Sequence, residues 1–230
     1  MIRGIFQKKR VNSLGQEMKA NENFDSCVMK NLQNYKLSQL ISLYEKEQLA
    51  HVSGKKIFIA CYPKSGSTFL LHALMQCLHQ ERIKLVAHHE TQQLYYPYLL
   101  DNFQVSGIEK RHMLATRPNI DLFKQFHIRP SILVRNIFDV IVSSVDYLRP
   151  ELQWPRQCGT ISKEFFRLPF DKKVDYLIAV AVPWFISFYV SWKLAESEFE
   201  INWLSFEQVM ADKIAGIQKI LLYFIVLRLS

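Results

Sequence analysis

Apolar positions along the chain fall into short runs, each followed by a segment with helical spacing. Residues 57–60 are continuously apolar and lead into a helix-like segment that starts at Phe69. Residues 131–134 precede a second such segment, and an alternating run at residues 201–205 precedes a third. Short buried strands that alternate with helices are typical of a mostly parallel, doubly wound α/β sheet, which binds ligands at the carboxyl ends of its strands. The pattern predicts that fold.

The segments outside these units carry weaker patterns. Leu37, Leu40 and Ile41 follow helical spacing. Residues 95–99, Tyr-Tyr-Pro-Tyr-Leu, are interpreted as an aromatic loop, and residues 149–167 as a long irregular connection. Residues 1–30 are polar, basic and poorly patterned, so we expect a flexible N-terminal arm followed by a single domain over residues 31–230.

The junction after the first strand has the composition of an anion site. Residues 61–68 are Cys-Tyr-Pro-Lys-Ser-Gly-Ser-Thr. Backbone N–H groups at a helix N-terminus lack intrahelical partners, and the helix dipole favours negative charge there. Gly66 permits a positive φ or a close approach of the backbone to an oxyanion. The further donors that we expect are Lys64, Ser65, Ser67 and Thr68. Because the lysine precedes the glycine, the order is not that of an ordinary P-loop NTPase.

A second junction later in the chain repeats this plan. Arg135 ends the apolar run, where its planar, permanently charged guanidinium would face a phosphate. Asn136, with Asp139 three residues later, predicts a helix N-terminus. Ser143, two turns into that helix, would add a hydroxyl on the same side. Two such junctions indicate a ligand with phosphate groups at both ends of a nucleoside.

Both junctions resemble the nucleotide-binding motifs of sulfotransferases. Residues 62–69 are similar to the 5′-phosphosulfate loop of that family, Tyr-Pro-Lys-Ser-Gly-Thr-Thr-Trp. Residues 134–143 are similar to its 3′-phosphate motif, Val-Arg-Asn-Pro-Arg-Asp-Val-x-x-Ser, except at Ile137 and Phe138. The resemblance implies the P-loop-like fold of cytosolic-type sulfotransferases. It also implies 3′-phosphoadenosine 5′-phosphosulfate (PAPS) as the sulfuryl donor, with no metal.

Two phenylalanines stand where the family carries other aromatic residues. Phe69 takes the place of a tryptophan that stacks on adenine, although simple core packing is the alternative interpretation. Phe206 takes the place of the tyrosine in a Tyr-Glu-Asp-Leu element, so ring packing would persist without the hydroxyl. The family's Arg-Lys-Gly loop, which closes over the 3′-phosphate, has no counterpart before Ser230. We therefore expect either that the loop is dispensable or that the chain is a shortened, inactive homologue.

The resemblance implies transfer of a sulfuryl group to a hydroxyl or amine of a small-molecule or glycan acceptor. Lys64 would neutralise the bridging oxygen as the S–O bond opens. The residue that acts as the general base is not identified by the resemblance. Arg117 stands at the histidine position of the family's Lys-Thr-His-x-Pro strand and cannot act as a base. His112, which would face the opposite side of that strand, and Glu90 are the candidate bases.

Composition narrows the partners and the compartment. The net charge of +8 favours a polyanion, which a nucleotide satisfies, and no nucleic-acid-binding signature is present. The four cysteines form no metal-binding or disulfide framework. Together with an N-terminus that lacks the features of a secretory signal, this predicts a cytoplasmic protein.

One apolar run and two alternative functions remain to be weighed. Residues 176–192 carry no charge but contain Pro183, and they are interpreted as a buried helix pair or a helix at a substrate pocket rather than a membrane span.

A small-molecule or nucleotide kinase would use a similar phosphate cradle, but it would need ATP, Mg²⁺ and an acidic metal ligand. A non-catalytic nucleotide-binding homologue would keep Lys64 and Arg135 without a working base.

Overall fold

Four parallel strands form one sheet in the order β2-β1-β3-β4. They are β1 (Lys56–Cys61), β2 (Gly107–Arg111), β3 (Pro130–Val134) and β4 (Asn202–Ser205). The computed structural model describes residues 36–48, 54–87, 92–149, 158–198 and 200–226, with backbone alone at 43–48 and 226. The parallel sheet confirms the predicted α/β fold class.

The register brings the carboxyl ends of the strands to one level. Ala60 lies beside Arg111, Cys61 beside Leu133, and Val134 beside Ser205. The residues that follow the strands therefore share one edge of the sheet, here called the carboxyl edge. They are Tyr62, His112, Arg135 and Phe206.

Helices cover both faces of the sheet. Those that follow strands β1, β3 and β4 begin within a few residues of the carboxyl edge, as in a doubly wound fold. A 3₁₀ helix spans Lys163–Arg167. The α-helices are α1 (Leu37–Gln48), α2 (Ser67–Leu78), α3 (Tyr96–Asp101), α4 (Arg117–Gln125), α5 (Ile137–Tyr147), α6 (Phe170–Ala195), α7 (Phe206–Ala211) and α8 (Lys213–Val226).

The central strand β1 separates two hydrophobic cores. Phe58 and Ala60 pack into the core that contains residues of α5 and α6. Ile57 and Ile59 pack into the other core, with residues of α2 and α8. All four side chains are fully buried, which explains the continuous apolar run that predicted this strand.

The pattern of apolar residues along the chain did not predict strand β2. Its central residue, Glu109, is fully buried. The carboxylate pairs with Arg82 at 3.3 Å and with Arg111 at 3.1 Å, and it accepts the Leu85 N–H at 3.2 Å. A buried charge is tolerated where it is paired and hydrogen-bonded. Partners distant in sequence therefore stabilise a strand whose local pattern is polar.

Helix α6 runs unbroken through Pro183, so the predicted helix pair is wrong. Phe185, Phe188 and Trp192 are fully buried on one of its faces, and this packing favours a continuous helix despite the hydrogen bond that proline cannot donate. By length and composition alone, α6 could cross a membrane. In its most apolar stretch of 18 residues, 28% of the residues are buried inside the protein.

Two local interpretations of the sequence are corrected. Residues 95–99 are not a loop, because α3 begins at Tyr96 and places Pro97 in its first turn, where proline is tolerated. The strand predicted around residues 111–118 ends at Arg111, and Arg117 begins α4. The predicted arm at residues 1–30 lies outside the described residues, as do residues 150–157 of the connection predicted over residues 149–167. The domain boundaries stay a prediction.

Candidate active site

The loop between β1 and α2 carries two residues with left-handed backbone conformations. Lys64 has φ 60° and Gly66 has φ 77°. A Cβ atom on Gly66 would also lie 2.8 Å from the Phe206 ring. Glycine is thus required both by its backbone conformation and by a close neighbour, which confirms the expectation of a positive φ at Gly66.

The hydroxyl groups of this loop point in different directions. Ser65 Oγ donates to the Tyr62 carbonyl oxygen at 2.7 Å, so its hydroxyl shapes the loop itself. Ser65 and Ser67 are buried, whereas Thr68 is exposed. Gly66 is the N-cap of α2 and makes no side-chain cap, which leaves the first N–H groups of the helix for an anion.

Arg135 joins the two predicted phosphate sites. Its Nη1 donates to the Lys64 carbonyl oxygen at 2.9 Å, and its guanidinium carbon lies 4.2 Å from the centre of the Phe206 ring. Its Nε is buried without a hydrogen-bond partner among the described residues. The guanidinium is therefore fixed between β1 and β4 by a hydrogen bond and a cation–π contact.

Asn136 begins α5 as the sequence predicted. Its side-chain oxygen accepts the Phe138 N–H at 2.9 Å. Asp139 lies in the first turn of α5, as the sequence predicted, and the Asn136 N–H donates at 2.9 Å to Glu207, which follows β4. Burial alone would raise the pKa of Glu207, but the hydrogen bonds it accepts and the charge of Arg135 together lower that pKa. The carboxylate thus ties β4 to the start of α5.

The other predicted nucleotide contacts lie at or near the surface. Phe69 is 38% exposed, so it is not a fully buried core residue, and Lys213 Nζ lies 5.7 Å from the centre of its ring. Ser143 is half-buried on α5. The structure leaves the Phe69 ring accessible for stacking.

The Lys64 ammonium lies over an aromatic ring that the sequence did not point to. Its Nζ is 3.8 Å from the centre of the Tyr147 ring, at the end of α5. Burial, and then repulsion from Arg135, lower the pKa of Lys64.

His112 directly follows β2 at the carboxyl edge. Its Nδ1 lies 2.9 Å from the Cys61 carbonyl oxygen, and its backbone N–H donates to Gln92 at 3.0 Å. A proton held on Nδ1 by that carbonyl would place the lone pair of the neutral ring on Nε2. Glu90, the other candidate base, lies outside the described residues.

Residues 54–224 match the sulfotransferase domain family. The chain belongs to this family. Among solved structures, it is similar to mouse sulfotransferase SULT7A1 complexed with PAP, with a TM-score of 0.50 and 19% identity. The match covers 74% of this chain but only 58% of the solved chain. No curated protein matches the sequence.

The structure places Arg117 on a helix and not on the strand that the resemblance to the Lys-Thr-His-x-Pro pattern had implied. Arg117, which the sequence placed at the histidine, is exposed at the start of α4 and pairs with Asp121 at 2.9 Å and Glu198 at 2.9 Å. His112, with Lys110 two residues before it, instead directly follows the end of β2. Histidine and lysine thus both follow strands at the carboxyl edge, with His112 after β2 and Lys64 after β1.

A groove of about 450 Å³ opens beside Arg135, between α6 and the start of α5. The sequence offered a helix at a pocket over residues 176–192, which agrees with the three residues of α6 here, but it did not predict the partners from β3 and α5 in this groove. Its walls are mostly apolar, and they include the two positions that depart from the family's 3′-phosphate motif. The lining residues are Tyr62, Val134, Arg135, Asn136, Ile137, Phe138, Ile186, Tyr189 and Val190.

Proposed function

We propose that this chain is a PAPS-dependent sulfotransferase. Membership of the family supports sulfuryl transfer as the general activity. The observation that carries the choice of donor is the hydrogen bond from Arg135 Nη1 to the Lys64 carbonyl oxygen at 2.9 Å. It holds the two phosphate-binding motifs side by side, as a nucleotide with a phosphate at each end requires.

The residues of the carboxyl edge divide into two groups. The Lys64 ammonium and the N–H groups of residues 65–68 would hold the 5′ end of the donor. Arg135 and Ser143 would hold its 3′-phosphate, and Phe69 and Phe206 would contact adenine. When bound, PAPS would supply the activated sulfuryl group.

Two side chains would act on the acceptor and the leaving group. Lys64 would neutralise the negative charge that develops on the bridging oxygen. His112 would accept the acceptor's proton on Nε2, because its contact with the Cys61 carbonyl oxygen orients the ring and favours a proton on Nδ1. Glu90 stays a candidate for the same role.

The proposal also covers the acceptor, the metal requirement and the cellular compartment. The acceptor is a hydroxyl or amine on a small molecule or glycan, no metal takes part, and the protein acts in the cytoplasm. The motif order, with Lys64 before Gly66, favours this function over a kinase, which would need Mg²⁺ and an acidic metal ligand.

A binding titration separates the proposed function from a kinase. Adenosine 3′,5′-bisphosphate should bind the intact chain with the same affinity in EDTA and in Mg²⁺, because the positive potential comes from the protein. Binding of ATP that depends on Mg²⁺, without binding of the bisphosphate, would overturn the proposal.

A turnover assay with PAPS and a panel of phenols, sugars and amines then separates an enzyme from a non-catalytic homologue. His112→Asn should lower turnover by about a hundred- to ten-thousandfold with unchanged bisphosphate affinity. Undiminished turnover would transfer the assignment to Glu90, which Glu90→Gln tests in the same assay.

A further inference from the structure

The contact between Lys64 and Tyr147 is not explained by the roles assigned so far. The Lys64 Nζ lies 3.8 Å from the ring centre, well inside the range of a cation–π contact. No ion pair joins Lys64 to a carboxylate of the described residues. The Tyr147 ring is thus the partner that the structure gives to this half-buried ammonium.

The ring lies next to the region where the nucleotide is expected. Ser143 and Tyr147 are four residues apart on α5, so they share a face of that helix. The Tyr147 side chain is 43% exposed and is not part of the hydrophobic core. A bulky anion held by the loop and by Ser143 would therefore compete with the ring for the Lys64 ammonium.

We propose that Tyr147 is a positioning residue that holds Lys64 in the nucleotide-free site and releases it to the donor. This inference rests on the proposed function. An aromatic face attracts an ammonium without neutralising it, so the cation remains available to a stronger anionic partner. A carboxylate at the same place would form an ion pair that the donor would have to break. Tyr147 thus keeps Lys64 near its working position.

Carbon-13 methylation of the lysines tests the resting contact directly, because dimethyl-lysine keeps its charge. In the ligand-free full-length protein, the Lys64 methyl signal, assigned by its loss in Lys64→Met, should be shifted upfield by the ring current of Tyr147. Tyr147→Phe should keep the shift, and Tyr147→Leu should lose it. A Lys64 signal at the ordinary lysine position in the unmutated protein would overturn the proposal.

Adenosine 3′,5′-bisphosphate tests the release. Its addition should move the Lys64 signal back toward the ordinary position, and an unmoved signal at saturation would contradict the proposal. Because Tyr147→Leu removes a contact that only the free state makes, it should tighten bisphosphate binding by about two- to fivefold. Unchanged or weaker binding by this variant would also contradict it.

Two controls isolate the effect of the Tyr147 ring. Tyr147→Phe should bind the bisphosphate like the unmutated protein. Tyr95→Leu removes a tyrosine that is also 43% exposed but lies at the start of α3, and it should change neither the signal nor the affinity. If the bisphosphate fails to bind even the unmutated protein, the proposed function fails, and the signal of the ligand-free protein alone decides whether the resting contact exists.

Discussion

At the carboxyl edge, the β3–β4 side is cross-linked by a hydrogen bond and a cation–π contact between side chains, whereas the Lys64 ammonium on the β1–β2 side rests on one aromatic ring. Arg135, Asn136, Phe206 and Glu207 connect residues 71 apart through a hydrogen bond and a cation–π contact. On the other side, the Lys64 ammonium lies on one exposed ring, and the His112 ring contacts Cys61 at its carbonyl oxygen and at its sulfur. Under the proposed function, the fixed Arg135 suits binding of the donor, and the Lys64 ammonium on its aromatic ring suits charge that appears only during transfer.

The largest expected effect comes from removing the charge of Lys64 on the β1–β2 side. Lys64→Met keeps most of the stem and deletes the cation. If one donor to a developing oxyanion contributes about 2.7 to 4 kcal/mol, turnover should fall by about a hundred- to a thousandfold. Bisphosphate affinity should fall far less, because backbone N–H groups still hold the 5′ end. The opposite division, with affinity lost and turnover kept at saturating PAPS, would remove Lys64 from the chemical step.

The next effect tests the contact between the two sides. Gly66→Ala forces a side chain into φ 77° and toward the Phe206 ring. The backbone alone should lower the free energy of unfolding by about 1 to 2 kcal/mol, with a further loss from the displaced ring. Urea unfolding measures the sum. In a Phe206→Ala background the ring contribution should vanish, and an equal loss in both backgrounds would show that the ring does not constrain the loop.

The smallest expected effect concerns Glu207. Because the pKa of Glu207 is lower in the folded protein than in the unfolded chain, its carboxylate stabilises the fold above the unfolded pKa. This contribution is lost as the pH falls through the folded pKa. Glu207→Gln should therefore be less stable than the unmutated protein near neutral pH, with the difference shrinking on the acid side. A difference that stays constant across the acid range would exclude a role for the charge.

How much of the fold could be predicted from the sequence depends on how far apart along the chain the interacting residues lie. Strands β1 and β3 and the Asn136 cap follow from neighbouring residues, so the sequence predicted them. Strand β2 was missed because two partners of the buried Glu109 carboxylate, Arg82 and Leu85, lie more than 20 residues away. The end of β2 at Arg111, and with it the position of His112 beside Cys61, depends on pairing with β1.

The same distinction holds within the site. Residues 62–69 and 134–143 were predicted to join a strand to a helix, and both do, because the residues that end each strand and start each helix are neighbours in the sequence. The contacts of Arg135 with Lys64 and Phe206, of Glu207 with Asn136, and of Lys64 with Tyr147 join residues brought together only by the fold. No local pattern encodes these pairs.

The most direct test asks whether Arg135 reads a 3′-phosphate. Calorimetric titration should compare adenosine 3′,5′-bisphosphate with adenosine 5′-phosphate, on the unmutated chain and on Arg135→Ala. Removing this charge-assisted hydrogen-bonding group should cost the bisphosphate about 1.5 to 3 kcal/mol of binding free energy and the monophosphate much less. Equal affinity of the unmutated chain for both nucleotides, or an equal loss for both in the variant, would contradict the assignment of Arg135 to the 3′-phosphate.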